Sequence, residues 1–237
     1  EGIPKICIPL TDANIDELSK SVNELKSAPF DMVEWRADFF NDIEDPQKRF
    51  QAMSFLREQL GNTPILFTAR TSVEGGKLDI DTEGHVKLLT SVIDTGLMDL
   101  VDVELSRGED AMKTIRDAAH KAGMHIIGSL HDFASTPSKE RIVYHLCQMQ
   151  KLGADIVKYA VTPQCARDVL TLLDATLTMQ EEHNETPVIT MSMGGQGAVS
   201  RVCGSVFGSS ITFGTAGNSS APGQLPADLL STFINNL

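Results

Sequence analysis

Asp155-Ile-Val-Lys-Tyr-Ala-Val161 is a short apolar run with one lysine, Lys158, at its centre. β-Branched and aromatic residues, with Gly153 before and Pro163 after, predict a buried strand. Strand alternation places Ile156, Lys158 and Ala160 on one face and Val157, Tyr159 and Val161 on the other. An ammonium in such a strand is costly unless it is paired or sheds its proton. A desolvated lysine amine is a nucleophile that forms Schiff bases with ketones and aldehydes. A lysine snorkelling from the strand end, or held in a structural ion pair, is the plainer alternative.

Outward from this run, strands and helices alternate along the whole chain. Strand 5–10 precedes helix 15–27, strand 31–38 precedes helix 46–60, and strand 64–70 precedes helix 82–94. Strand 100–105 precedes helix 109–122, and strand 125–131 precedes helix 138–152. Strand 155–161 precedes helix 164–182, strand 187–193 a helix near 198–207, and strand 210–215 a helix at 226–236. Eight such pairs in 237 residues predict a single-domain α/β fold over 1–237, a (β/α)8 TIM barrel. A doubly wound sheet would call for a Gly-x-Gly-x-x-Gly turn after the first strand, and none follows Leu10. The Gly/Ser-rich stretch 214–223 then reads as a loop of the barrel rather than a linker.

A net charge of −12 argues against a nucleic-acid partner, so an anionic ligand must be met by local arginines. No apolar run approaches the ~18 residues of a membrane span, and no secretory leader is visible. Cys7, Cys147, Cys165 and Cys203 form no Cys-x-x-Cys pair; buried free thiols in a reducing cytoplasm are expected.

Barrel active sites lie at the C-terminal ends of the strands. Polar residues there share one parity: Glu34, Arg36 and Asp38, then Thr68 and Arg70, then Asp102 and Glu104, then Ser129 and His131, then Lys158. The other parity stays apolar, as faces packed on helices should. Since a barrel has no wet strand face, either a site or a structural ion-pair network fills its interior.

The chain resembles type I 3-dehydroquinate dehydratase in Val33-Glu-Trp-Arg-Ala-Asp38, Phe67-Thr-Ala-Arg70, Glu74-Gly-Gly76, His131-Asp-Phe133 and Gly153-Ala-Asp-Ile-Val-Lys158. The likeness continues through Thr190-Met-Ser-Met193, Ser200-Arg201, Phe213-Gly214 and Ser220-Ala-Pro-Gly-Gln224, in order and spacing. It implies a cytoplasmic homodimeric barrel of the shikimate pathway that takes 3-dehydroquinate and needs neither metal nor organic cofactor. By the same likeness, Lys158 forms an iminium with the substrate ketone, His131 moves the protons, and Glu74 orients His131. Arg201 forks onto the substrate carboxylate, and Glu34, Arg36 and Arg70 hold ring hydroxyls and orient the lysine. Met193 and Phe213 line the ring, while Ser220 and Gln224 belong to a closing loop. Two other readings use the same residues. A class I aldolase or transaldolase-like enzyme would place a phosphosugar at the glycine-rich loops 194–197 and 214–217. A catalytically silent barrel would bind a small acid and have no use for the lysine and histidine together.

Overall fold

The computed structural model describes residues 2–217 and 220–236. Among these, strands and helices follow one another in a nearly unbroken rhythm. The first half runs β1 (Lys5–Leu10), α1 (Ile15–Leu25), β2 (Met32–Arg36), α2 (Pro46–Leu60), β3 (Ile65–Thr68), α3 (Thr82–Ile93), β4 (Leu100–Glu104) and α4 (Glu109–Lys121). The second half runs β5 (His125–Asp132), α5 (Lys139–Lys151), β6 (Ile156–Val161), α6 (Ala166–Glu182) and β7 (Val188–Ser192). Three short helical turns follow, α7 (Gly194–Gly197), α8 (Val199–Val202) and α9 (Gly204–Phe207), then β8 (Ile211–Thr215), β9 (Leu225–Pro226) and α10 (Ala227–Ile234).

The helices start where local chemistry starts them. Asn14, Asp45, Asp81 and Ser138 cap α1, α2, α3 and α5 by accepting first-turn amide protons on their side chains. Pro46 opens α2, and Gly61 ends it at φ 55°, a left-handed position open to glycine.

All strand pairings are parallel, in the order β7-β6-β5-β4-β3-β2-β1-β8-β9. The last seam, between β7 and β8, is closed by one parallel bridge, Val188 to Ser209. There the Ser210 amide donates to the Val188 carbonyl (2.8 Å) and the Thr190 amide to the Ser209 hydroxyl (3.1 Å). The fold is a (β/α)8 barrel with one thin seam.

Alternation divides its interior into two cores. Outward-facing Val33, Trp35, Phe67, Val101, Val103, Val157, Tyr159 and Val161 pack beneath the helices. Inward-facing Cys7, Met32, Leu66, Leu100, Ile127, Ile189 and Ile211 fill the barrel's own centre. The inward apolar residues of β2 and β4, Met32 and Leu100, sit at the strand starts, whereas Glu34 and Asp102 come later, so polarity collects at the C-terminal mouth. Trp35, fully buried, meets Phe40 and Phe67 edge-on at centroid distances of 5.6 and 5.5 Å. Trp35→Ala is expected to cost about 3–5 kcal/mol, read as a lower denaturation midpoint at constant slope.

Four details depart from the sequence reading. Asp38 is not on the second strand; it sits in a 3-10 turn at Ala37–Phe39, because the chain turns as soon as it leaves the barrel wall. Likewise β3 ends at Thr68, so Arg70 lies just past it. The single helix near 198–207 is instead the broken series α7–α9: three glycines in Gly194-Gly-Gln-Gly197 and a fourth at Gly204 keep any one helix from propagating. Only Cys7 and Cys203 are buried; Cys147 is half-buried, and Cys165 is exposed at the start of α6. Of the stretch 214–223, Asn218 and Ser219 lie outside the described residues. Among the described residues no helix is long and apolar enough to cross a membrane.

Candidate active site

The C-terminal mouth holds a cavity of about 180 Å³. Its walls include Lys158, His131, Glu74, Glu34, Arg36, Arg70, Arg201, Ser220, Gln224, Met193 and Phe213, the residues to which the resemblance gave a catalytic or binding part, whereas Asp38, Thr68, Asp102, Glu104 and Ser129 lie outside its lining.

Lys158 is central. Its strand register sets it beside Ser129 on β5 and Ile189 on β7, and it is buried. Its ammonium lies 3.6 Å from Asp102 Oδ2 and 3.8 Å from Glu34 Oε1, with the Phe213 ring centroid 4.5 Å away. The lysine is therefore held by charge rather than by close hydrogen bonds. Glu34 is fixed by the Thr68 hydroxyl, which donates to it at 2.8 Å.

Arg70 is the hub beneath it. Its guanidinium reaches Asp102 at 2.8 Å, Glu104 at 3.0 Å and Glu74 at 3.6 Å. Burial alone would lower its pKa, but Asp102, Glu104 and Glu74 outweigh that and hold the cation above its usual value. Glu104 also accepts from the Thr71 amide (2.8 Å) and hydroxyl (2.6 Å), tying the end of β3 to β4. The next residues fold back tightly. Gly75 has φ 77° under the Phe133 ring, and a Cβ at Gly76 would collide with the Arg70 carbonyl. That turn delivers Glu74 to His131, whose Nδ1 lies 2.8 Å from Glu74 Oε2, while the Ser106 hydroxyl donates to Oε1.

Electrostatics divides this pair. Burial, and then Glu104 and Asp102, push Glu74 up to about 7 despite Arg70 and Ser106. Burial, with the cations Arg70, Lys158 and Arg36, holds His131 well below 6.5. With Glu74 ionised, the neutral imidazole keeps its proton on Nδ1 toward the carboxylate, leaving Nε2 as a base. The stability sign follows from the raised Glu74 value: the contribution is full below about 4.5 and is lost as pH rises through about 7. Glu74→Gln should remove about 3 kcal/mol of that loss, measured as the difference in unfolding free energy between pH 4.5 and pH 8.

Arg201 is different. Fully inside the protein at 2% exposure, it meets no carboxylate among the described residues. Its contacts are the carbonyls of Phe213 (3.5 Å) and Pro222 (3.3 Å) and the Met191 sulfur (3.9 Å). Burial lowers its pKa to about 10. A guanidinium in that setting has the charge and free donors to receive an anion.

Arg36 forks onto Asp38 at 2.8 and 2.9 Å, so the displaced Asp38 aims it at the rim. Ser220 and Gln224 clasp each other: the Ser220 amide donates to Gln224 Oε1 (2.8 Å) and Gln224 Nε2 to the Ser220 hydroxyl (2.9 Å). Pro222 accepts from the Gly194 amide at 3.1 Å, docking this loop over the cavity. Met193 and Phe213 form the apolar walls. The sequence reading left out Phe133, which stacks on His131 at 6.5 Å, and Ser106; the run His131-Asp-Phe133 carried the first signal, and nothing local carried the second.

A (β/α)8 barrel with charged groups converging on one cavity at the C-terminal strand ends has the architecture of an enzyme. The sequence profile of the family described as type I 3-dehydroquinase matches residues 6–237. The 3-dehydroquinate dehydratase of Syntrophotalea carbinolica is 46% identical over 236 residues, covering 100% of this chain and 93% of that protein. That of Listeria innocua is 47% identical over 237 residues, covering 100% and 94%. The type I enzyme of Clostridium difficile, solved with covalently modified comenic acid, superposes with a TM-score of 0.96 at 44% identity, over 100% of this chain and 92% of that one. The chain belongs to the type I 3-dehydroquinase family, and with it to the hydro-lyases.

Proposed function

We propose that this protein dehydrates 3-dehydroquinate to 3-dehydroshikimate through a Schiff base on Lys158, with His131 as general base and acid. The observation that carries the reading is the joint placement of Lys158, the Glu74–His131 pair and the carboxylate-free Arg201 around one cavity. Arg201 binds the substrate carboxylate, and Arg36, Glu34 and Arg70 take the ring hydroxyls. Met193 and Phe213 hold the ring's apolar faces, with Ser220 and Gln224 closing above it. The Lys158 amine, once unprotonated, adds to the C3 carbonyl, and loss of water gives an iminium. That cation draws electrons from the adjacent C2–H bond. His131 Nε2 takes the C2 proton, the electron pair forms the C1–C2 double bond, and the C1 hydroxyl leaves with the proton His131 returns. Water then releases the product and restores the amine. Excluding bulk water until that step protects the imine.

Mixing the protein with 3-dehydroquinate should raise ultraviolet enone absorbance, since loss of water conjugates the ketone. A flat trace would refute the dehydratase reading. The pH profile is fixed by Glu74: once it is protonated, it can no longer accept from Nδ1, and Nε2 ceases to be the free base. Turnover should therefore fall as pH drops below about 7, with about one proton taken up. A kcat flat down to pH 5.5 would contradict this role.

The reading extends to a one-domain homodimer of the cytoplasm. The four free thiols support a reducing compartment, and light scattering at micromolar concentration checks the dimer.

A further inference from the structure

Asp102 does not line the cavity, yet it is the carboxylate nearest to the Lys158 ammonium. It projects inward from β4 at 2% exposure, and three partners fix it. Oδ2 lies 2.8 Å from the Arg70 guanidinium and 3.6 Å from Lys158, and Oδ1 accepts the Ser129 hydroxyl proton. Ser129 is itself set beside Lys158 by the β5–β6 register. Burial alone would raise the Asp102 pKa, but Arg70, Lys158 and the Ser129 hydroxyl hold it below the usual carboxylate range. The charge beneath the lysine is thus permanent.

We infer that Asp102 is a positioning residue for the reaction, a fixed counter-charge held behind the Lys158 nitrogen that balances the iminium formed there. This rests on the Schiff-base reading above. The carboxylate stands 3.6 Å from the Lys158 nitrogen, and the iminium formed there carries its positive charge at the same place, so the counter-charge stabilises the intermediate from which C2 loses its proton. Glu34 cannot do this alone, because it faces the cavity, where substrate hydroxyls compete for it. Other charged or titratable groups around the lysine are Cys7 on β1, Arg36 on β2, Arg70 and Glu74 after β3, Glu104 on β4, His131 on β5 and Arg201 on α8. Of these only Glu104 and Glu74 are carboxylates, and both are engaged by Arg70.

The test is the pH dependence of cyanate carbamylation at Lys158, followed by peptide mass spectrometry, since cyanate adds only to unprotonated amines. In Asp102→Asn the midpoint should move down by about one unit or more, making labelling at pH 7 about tenfold faster. Asp102→Glu should restore it. Ser129→Ala should move it the other way, because a carboxylate that loses a hydrogen-bond donor bears more strongly on its neighbour. A generic lesion would not give opposite signs. In steady state, Asp102→Asn should lower kcat and leave KM within about threefold, as the carboxylate lies behind the cavity wall. An unchanged midpoint in folded Asp102→Asn overturns the inference. If that variant does not fold, an unchanged midpoint in Ser129→Ala overturns it. Borohydride trapping of 3-dehydroquinate on the unsubstituted protein tests the Schiff base separately: no adduct there sinks the covalent reading, whatever the cyanate midpoints.

Discussion

Replacing Lys158 by alanine is expected to lower kcat by about 10⁴-fold or more, since it removes the one lysine lining the cavity among the described residues, the amine proposed to make the covalent bond. Borohydride added with 3-dehydroquinate should fix a substrate-sized mass on the Lys158 peptide of the parent protein and none on the variant. The loss should not come from unfolding. Asp102 keeps Arg70 at 2.8 Å, and Glu34 keeps the Thr68 hydroxyl at 2.8 Å, so neither carboxylate is abandoned when the ammonium goes. Lys158→Met, which retains the contact with Phe213, provides the check on packing. A variant that still turned over at a tenth of the parent rate would mean that Lys158 is only the structural ion-pair partner that its neighbours Asp102 and Glu34 also allow.

Those neighbours show what the sequence could and could not say. The parity of Glu34, Asp102, Ser129, His131 and Lys158 was readable because strands have a fixed period of two and a barrel has only two faces. Parity gives a face but no distances, so Asp102 could be placed inside without its role beneath Lys158 being visible. The eight βα units were readable for a similar reason, since the outward residues that pack on helices form long apolar runs. Where the chain leaves regular structure, legibility stops. Asp38 follows the strand period for two more residues in sequence, but a 3-10 turn carries it to Arg36 instead of into the barrel. The break at Gly194–Gly197 could not be told from a plain loop, because glycine favours neither. Ser106, the second partner of Glu74, comes from a turn 32 residues later in the chain, and no local pattern announces it.

Arg201 supplies the second large effect, and here function and stability should move in opposite directions. Arg201→Met is expected to lower kcat/KM by about 10²–10³-fold, chiefly through KM, because the charged fork proposed to hold the substrate carboxylate is gone. Arg201→Lys should recover only part of this, since an ammonium cannot present two parallel donors. The same Arg201→Met change should raise the melting temperature of the ligand-free protein. Burial lowers this guanidinium to about 10 from 12.5, which corresponds to about 3 kcal/mol of strain against the charged form. Its hydrogen bonds to the Phe213 and Pro222 carbonyls are long, at 3.5 and 3.3 Å, and return only a fraction of that. A methionine fills the space without a charge, so a gain of roughly 2–6 °C is expected for a chain of this size. Thermal melts with and without a substrate-like carboxylate separate the two effects: the ligand should stabilise the parent and leave the variant unmoved. If Arg201→Met melted lower than the parent, the guanidinium would be a structural element of the barrel mouth rather than a socket kept open for an anion. A buried cation facing a cavity, with no acid beside it, is stable only when something else brings the negative charge.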